Sequence, residues 1–165
     1  MMLLLASDHA GFELKTLLAD HARGMGHEVV DLGPDNQDAV DYPDFAHVLA
    51  QRIAGGRGER GVLVCGTGIG MSMTANRHPG VRAALCHDAF TAELARRHNN
   101  ANVLCMGGRT TGPGVALQML DIFLATGFDG GRHERRVGKI DAGRAGPRPG
   151  SGGPTHQKPK REATR

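Results

Sequence analysis

Five short, mostly apolar runs, at residues 3–6, 28–32, 61–65, 81–86 and 102–106, recur along the chain with a helical pattern after each one. Runs of this length bounded by turn residues are read as buried strands. The intervening segments carry apolar residues at helical spacing: Phe12, Leu14, Leu17, Leu18 and His21, then Phe45, Val48, Leu49 and Ile53. Further helical stretches run from Met71 towards His78, from Ala89 to His98 and from Val115 to Ala125, and a charged one lies around His133 to Ile140. Pro43 and Pro113 stand where a first helical turn tolerates proline, and Asp88 is placed to cap the helix that follows Cys86. Strict alternation of apolar strands and helices requires crossover connections, hence parallel strands covered on both faces. The expected fold is an α/β three-layer α/β/α sandwich with a five-stranded parallel sheet, Rossmann-like in form. Ligands in such sheets bind beyond the carboxyl ends of the strands. Strand order does not follow from the spacing.

The 165 residues suit one domain. A formal charge of +3 and a pI near 9 invite a nucleic-acid reading, but the charge is localised. Residues 142–165 hold Arg144, Arg148, Lys158, Lys160, Arg161 and Arg165 against Glu162 alone, leaving residues 1–141 two charges negative. That tail is rich in glycine and proline with almost no large apolar residue, so it is expected to be disordered, with the folded domain at 1–141. No specific nucleic-acid partner is expected. The first apolar run lacks a basic leader and is too short for a signal sequence, and no run approaches the ~20 residues that span a bilayer, so a soluble, cytoplasmic protein without membrane contact is expected. Cys65, Cys86 and Cys105 are odd in number and widely spaced, with no zinc-binding pattern, which fits a reducing compartment.

The strand ends carry the chemistry. After the third strand the chain reads Cys65-Gly66-Thr67-Gly68-Ile69-Gly70-Met71-Ser72, alternate glycines that let backbone N–H groups approach an anion at a helix start. The run is neither a P-loop nor a dinucleotide fingerprint. Cys65 faces this cradle, a setting that favours thiolate, although a cysteine ending an apolar strand is by itself more often a buried structural residue. Asp8 and His9 follow the first strand, where Asp8 has capping as its plainer role. His98, in Arg96-Arg97-His98-Asn99-Asn100, is placed to move a proton near neutral pH or simply to face a helix dipole. Arg109 follows the fifth strand, and Arg132 and Arg136 stand four apart on one helical face, spacing that suits a phosphate or a solvated basic face.

Taken in order, Asp8-His9-Ala10-Gly11, Asp41-Tyr42-Pro43, Cys65-Gly66-Thr67-Gly68-Ile69-Gly70, Ala75-Asn76, His98-Asn99, Gly108-Arg109 and Gly131-Arg132-His133-x-x-Arg136 resemble the signatures of the ribose-5-phosphate isomerase B and galactose-6-phosphate isomerase family over residues 2–141. The resemblance implies an aldose–ketose isomerase of a sugar phosphate, working through an enediolate. It implies Cys65 as base, His98 as ring-opening acid, and sugar contacts from Asp8, His9 and Asn99. It further implies an enediolate cradle at Gly66, Thr67, Gly68, Ile69 and Gly70, and phosphate contacts from Arg132, Arg136 and His9 with Arg109 nearby. Some family members carry a glutamate base six positions after the cysteine position, but that position here is Met71, which transfers no proton. No metal and no cofactor are expected. The partner implied is a second copy of the chain, in a homodimer with shared active sites or a dimer of such dimers.

Ribose 5-phosphate is favoured over six-carbon substrates such as allose or galactose 6-phosphate, because the galactose enzymes of the family are typically built of two different subunits and this chain holds a complete set of site residues. The rival reading is a nucleotide-binding module, with Asp31 at the end of the second strand as ribose-binding acid.

Overall fold

A computed structural model describes residues 1–142 of the chain. The elements run β1 (Met2–Ser7), a 3-10 turn (His9–Gly11), α1 (Phe12–Gly24), β2 (Glu28–Asp31), α2 (Tyr42–Ala54) and β3 (Arg60–Cys65). They continue with α3 (Ile69–Ala75), β4 (Ala83–Leu85), α4 (Ala89–Asn99), β5 (Val103–Gly107), α5 (Pro113–Ala125) and α6 (Arg132–Ala142). All pairings are parallel and the strand order is β2-β1-β3-β5-β4. The expected sandwich is therefore present. The disorder expected of the tail lies outside the described residues, except that Ala142 still belongs to α6.

The alternation of side chains along each strand divides the core into two layers. Leu3, Leu5, Val62, Val64, Leu104 and Met106 point to α1, α4 and α5, and Leu4, Ala6, Leu63, Cys65, Val103 and Cys105 point to α2 and α3. All but Cys65 are fully buried, and each large aliphatic side chain contributes roughly 1.5–3 kcal/mol relative to exposure. The chain leaves β1 for β2 on one side and reaches β3 on the other, so the crevice at the carboxyl ends of β1 and β3 is the topological switch point.

Two boundaries differ from expectation for identifiable reasons. The fourth strand covers only Ala83–Leu85, because the amides of Arg82 and Ala83 are taken by the side chains of Asn102 and Asn76, each at 2.8 Å, rather than by a ladder. Helix α3 begins at Ile69, two residues early, since Gly68 at φ 79° turns the chain directly into it. The capping assignment for Asp88 holds: its Oδ1 accepts the Thr91 amide at 2.7 Å, and these bonds lower the carboxyl pKa. Among the described residues, no helix is long and apolar enough to cross a membrane.

Asp31 is engaged within the fold. Lys15, on α1 and 1% exposed, donates to Asp31 Oδ1 at 2.7 Å and to the Pro34 carbonyl at 2.8 Å, and the Gly33 amide donates to the same Asp31 oxygen at 2.9 Å. One carboxylate oxygen of Asp31 is thus committed to holding Lys15 and the Gly33 amide, which gives the residue a task within the fold apart from any ribose. Lys15→Met should lower stability by about 1–3 kcal/mol, because it orphans a carbonyl and a carboxylate that the ammonium satisfies. Urea denaturation checks this, and a loss under about 0.3 kcal/mol would contradict the assigned role of the pair.

Candidate active site

Three loops meet at the carboxyl edge of the sheet, and backbone hydrogen bonds tie them together. The Asp8 amide donates to the Val64 carbonyl at 3.1 Å, Gly108 to Cys65 at 2.7 Å and Arg109 to Gly66 at 3.1 Å. Such close approach of backbones excludes side chains: a Cβ on Gly108 would fall 2.6 Å from the Ala10 carbonyl oxygen, and one on Gly68 would fall 2.8 Å from the Met106 carbonyl carbon. Glycine at 68 and 108 is thus fixed by sterics as well as by any ligand.

Cys65 closes β3 with its side chain on the α2/α3 layer and 5% of its surface exposed. The Gly68 amide donates to its Sγ at 3.1 Å, so the sulfur sits inside the turn that precedes α3. Met71, six positions on, is fully buried in the same apolar cluster. The other two thiols are core residues: burial pushes Cys86 up to about 11 and Cys105 well above the ordinary cysteine range. Thr67 is exposed on the loop, and its Oγ1 accepts from the Ile69 amide at 3.4 Å. Ile69 is also exposed, and the Tyr42 ring lies against Gly70 so closely that a Cβ there would fall 2.5 Å from it.

Beside this loop, Asp8 does cap its turn, with Oδ1 accepting the Gly11 amide at 2.9 Å while the residue is 7% exposed. His9 Nδ1 accepts from the Val40 amide at 3.3 Å, so the neutral ring carries its proton on Nε2. His9, Glu13, Gln37, Gly108 and Thr111 line a cavity of about 390 Å³. Arg109 is exposed with its guanidinium against Gly66. Asp8, His9, Gly66, Thr67, Gly68, Ile69, Gly70, Cys65 and Arg109 therefore gather at one edge.

His98, Asn99, Arg132 and Arg136 do not join them. Helix α4 leaves the carboxyl end of β4 and returns the chain to the amino end of β5, so His98 and Asn99 sit at the opposite edge of the sheet. The Gly61 amide donates to the Asn102 carbonyl at 2.9 Å, which fixes that edge at the start of β3, about 13 Å of strand from Cys65. Helix α6 packs on this end of α4: Arg97 contacts Asp129 at 3.2 Å, and the His133 ring stacks on His98 with centroids 4.2 Å apart. Arg132 and Arg136 are exposed there. Burial first, then the positive charge of His98, Arg132 and Arg136, holds the His133 pKa below the ordinary histidine value. His133, Tyr42 and Val40 are neighbours of site residues to which sequence reasoning gave no role. Their place is set by contacts between distant segments, and only the recurrence of Tyr42 and His133 inside the motif runs hinted at them. Among the described residues no cluster of three or more His, Cys, Asp or Glu side chains is arranged to hold a metal ion.

Comparison with known proteins bears on this edge-divided arrangement. The family model described as Ribose/Galactose Isomerase matches residues 3–140, which takes in both groups of residues. Ribose-5-phosphate isomerase B of Escherichia coli strain K12 is 42% identical over 135 residues, 82% of this chain and 91% of that protein. Among solved structures, ribose-5-phosphate isomerase B of Clostridium thermocellum superposes with a TM-score of 0.87 at 43% identity, covering 88% of this chain and 98% of the other. The enzyme of Mycoplasma genitalium, solved with bound ribulose-5-phosphate, gives 0.85 at 42% identity, covering 88% and 97%. A match spanning both sheet edges, in sequence and in backbone, means that this chain belongs to the ribose/galactose isomerase family.

Proposed function

We propose that this protein is a ribose-5-phosphate isomerase, interconverting ribose 5-phosphate and ribulose 5-phosphate through an enediolate, with Cys65 as the base. The observation that carries the assignment of the base is the placement of the Cys65 sulfur under the Gly68 amide at the switch-point edge, with Met71 buried at the alternative position. The substrate rests on relatives of matching length that are named for it, one of them solved with the ketose bound.

The chemistry needs little equipment. Ribose 5-phosphate closes to a furanose, so His98 gives a proton to the ring oxygen as the bond from C1 to that oxygen breaks, and the C1 hydroxyl proton passes back to the imidazole as the aldehyde forms. The Cys65 thiolate then takes the C2 proton of the open aldehyde, the O2 hydroxyl proton passes to O1 within the enediolate, and the thiol returns its proton to C1 as C2 becomes the carbonyl, while the negative oxygen of the enediolate faces the amides of residues 66–70 and the Thr67 hydroxyl. C2 is oxidised as C1 is reduced within one molecule, so electrons balance with no redox cofactor and no metal is called upon. Asp8 and Asn99 contact the sugar hydroxyls, and His9, Arg109, Arg132 and Arg136 hold the phosphate. Three free thiols suit a reducing, cytoplasmic setting.

We further infer a homodimer in which each site takes Cys65 and its loop from one chain and the partner subunit's His98 and Asn99 from the other, with pairs of such dimers as a larger form. The support is that these groups occupy opposite edges of one sheet, and a two-fold axis brings one edge of each copy to the other edge of its mate.

Cys65→Ala should reduce turnover by about a thousandfold or more while substrate still binds, and Cys86→Ala or Cys105→Ala should leave kcat within about threefold. Steady-state rates and equilibrium binding of ribose 5-phosphate check this, and substantial turnover by Cys65→Ala would reassign the base. Mixing inactive Cys65→Ala and His98→Ala proteins under conditions of subunit exchange should restore roughly a quarter of wild-type sites, since half the dimers are mixed and each mixed dimer has one intact site. Mass measurement of tagged subunits verifies exchange, and a verified mixed dimer without activity would eliminate the shared site.

A further inference from the structure

The imidazoles of His98 and His133 lie face to face, with planes 5° from parallel. His133 comes from α6 and is buried, at 8% exposure, whereas His98 from α4 is half-buried. The Nε of Arg132 donates to His133 Nε2 at 3.3 Å. An arginine N–H only donates, so Nε2 must offer a lone pair, and the His133 proton sits on Nδ1 of a neutral ring. The charged groups around the stack agree with that state: Arg132 and Arg136 of α6 oppose a proton on His133, and Asp129 alone favours one. Both carboxylate oxygens of Asp129 are held by the Nε of Arg97, each at 3.2 Å.

We propose, on the reading of His98 as the ring-opening group, that His133 is its positioning residue, the stacked neutral ring fixing the plane in which the His98 imidazole meets the furanose. A half-buried imidazole at the last turn of a helix can rotate about its side-chain bonds, and proton transfer to a ring oxygen needs one nitrogen held within hydrogen-bond reach. The His133 ring removes that freedom from one face. It also offers a π surface that accepts positive charge on His98, whereas a second imidazolium would repel it. Arg132 thereby has a structural task besides any phosphate contact, since its Nε–H satisfies the in-plane lone pair of His133 Nε2 and so fixes the tautomer of the stacked ring.

The test uses the full chain with His133→Ala, His133→Asn and His133→Phe. Ribulose 5-phosphate cannot close to a furanose, because its C5 oxygen carries the phosphate, so it separates the opening step from proton transfer at carbon. His133→Ala and His133→Asn should lower the initial rate on ribose 5-phosphate by about tenfold or more and leave that on ribulose 5-phosphate within about twofold. His133→Phe, which keeps an aromatic face, should restore the ribose 5-phosphate rate to within about threefold of wild type. Proton NMR of the His98 ring, which needs no turnover, should show an upfield shift from the stacked neighbour that persists in His133→Phe and disappears in His133→Ala. Equal losses on both sugars, or a phenylalanine variant no better than alanine, would overturn the positioning role. An unchanged His98 resonance in His133→Ala would overturn the stack itself. Should wild type isomerise neither sugar, the functional reading would fail while the NMR result still decides the contact.

Discussion

The hydrogen bond from the Gly108 amide to the Cys65 carbonyl, with those from Asp8 to Val64 and Arg109 to Gly66, is the constraint on which the candidate site depends. These bonds extend the ladder beyond the strand ends, so the loops after β1, β3 and β5 are a continuation of the sheet. Within the loop after β3, the Gly68 amide donates to the Cys65 sulfur and the Ile69 amide to Thr67 Oγ1. The backbones approach closely enough that glycine is required at 68 and 108 on steric grounds. One geometric demand therefore accounts for glycine at 68 and 108 and for the fixed place of the sulfur that ends β3.

Rigidity at the other edge comes from a different device. Arg60 and Arg96 bracket the Phe123 ring, each guanidinium carbon 5.6 Å from its centroid, and donate to the last carbonyls of α5, including Leu124 at 2.8 Å and Thr126. Burial lowers the Arg96 pKa to about 10, which still leaves it charged at neutral pH, where a cation favourably faces a helix carboxyl end. Arg96 also donates to the Asn100 side chain and the Ala101 carbonyl. The turn after His98 and Asn99 is thus anchored to the core, and the exposed Arg132 and Arg136 are presented on a helix fixed against it. Under the proposed shared site, each edge would supply one preformed half.

Much of this was legible from the chain itself. Alternating apolar runs and helical periods gave the layers and all five strands, and the Asp88 cap and the proline positions in α2 and α5 were local signals with local outcomes. The edge strand was over-extended because side chains of Asn76 and Asn102 replaced ladder partners, a substitution that periodicity does not register. The structural task of Asp31 was not visible because the lysine bonded to its Oδ1 lies sixteen residues earlier on another element. The motif residues were identified as a set, but a one-dimensional motif has no edges: that Cys65 and His98 fall at opposite ends of the sheet appears only once the direction of α4 is drawn. The stack of His98 on His133 was likewise invisible, since it depends on how α6 folds back on α4.

The proposed chemistry is one event, the passage of a proton between adjacent carbons by a thiol at the switch point. Direct hydride transfer between C1 and C2 would interconvert the same sugars without a base and would leave the Cys65 sulfur without a task. The most direct measurement is the reaction run in deuterium oxide, with the product examined by mass and NMR. A thiol that exchanges with solvent between removal and return should place deuterium at one of the two C1 positions of ribulose 5-phosphate and, on reversal, at C2 of recovered ribose 5-phosphate. Ribulose 5-phosphate formed with no solvent deuterium at C1, and at the same rate by wild type and by Cys65→Ala, would contradict the enediolate route and the role of Cys65 with it.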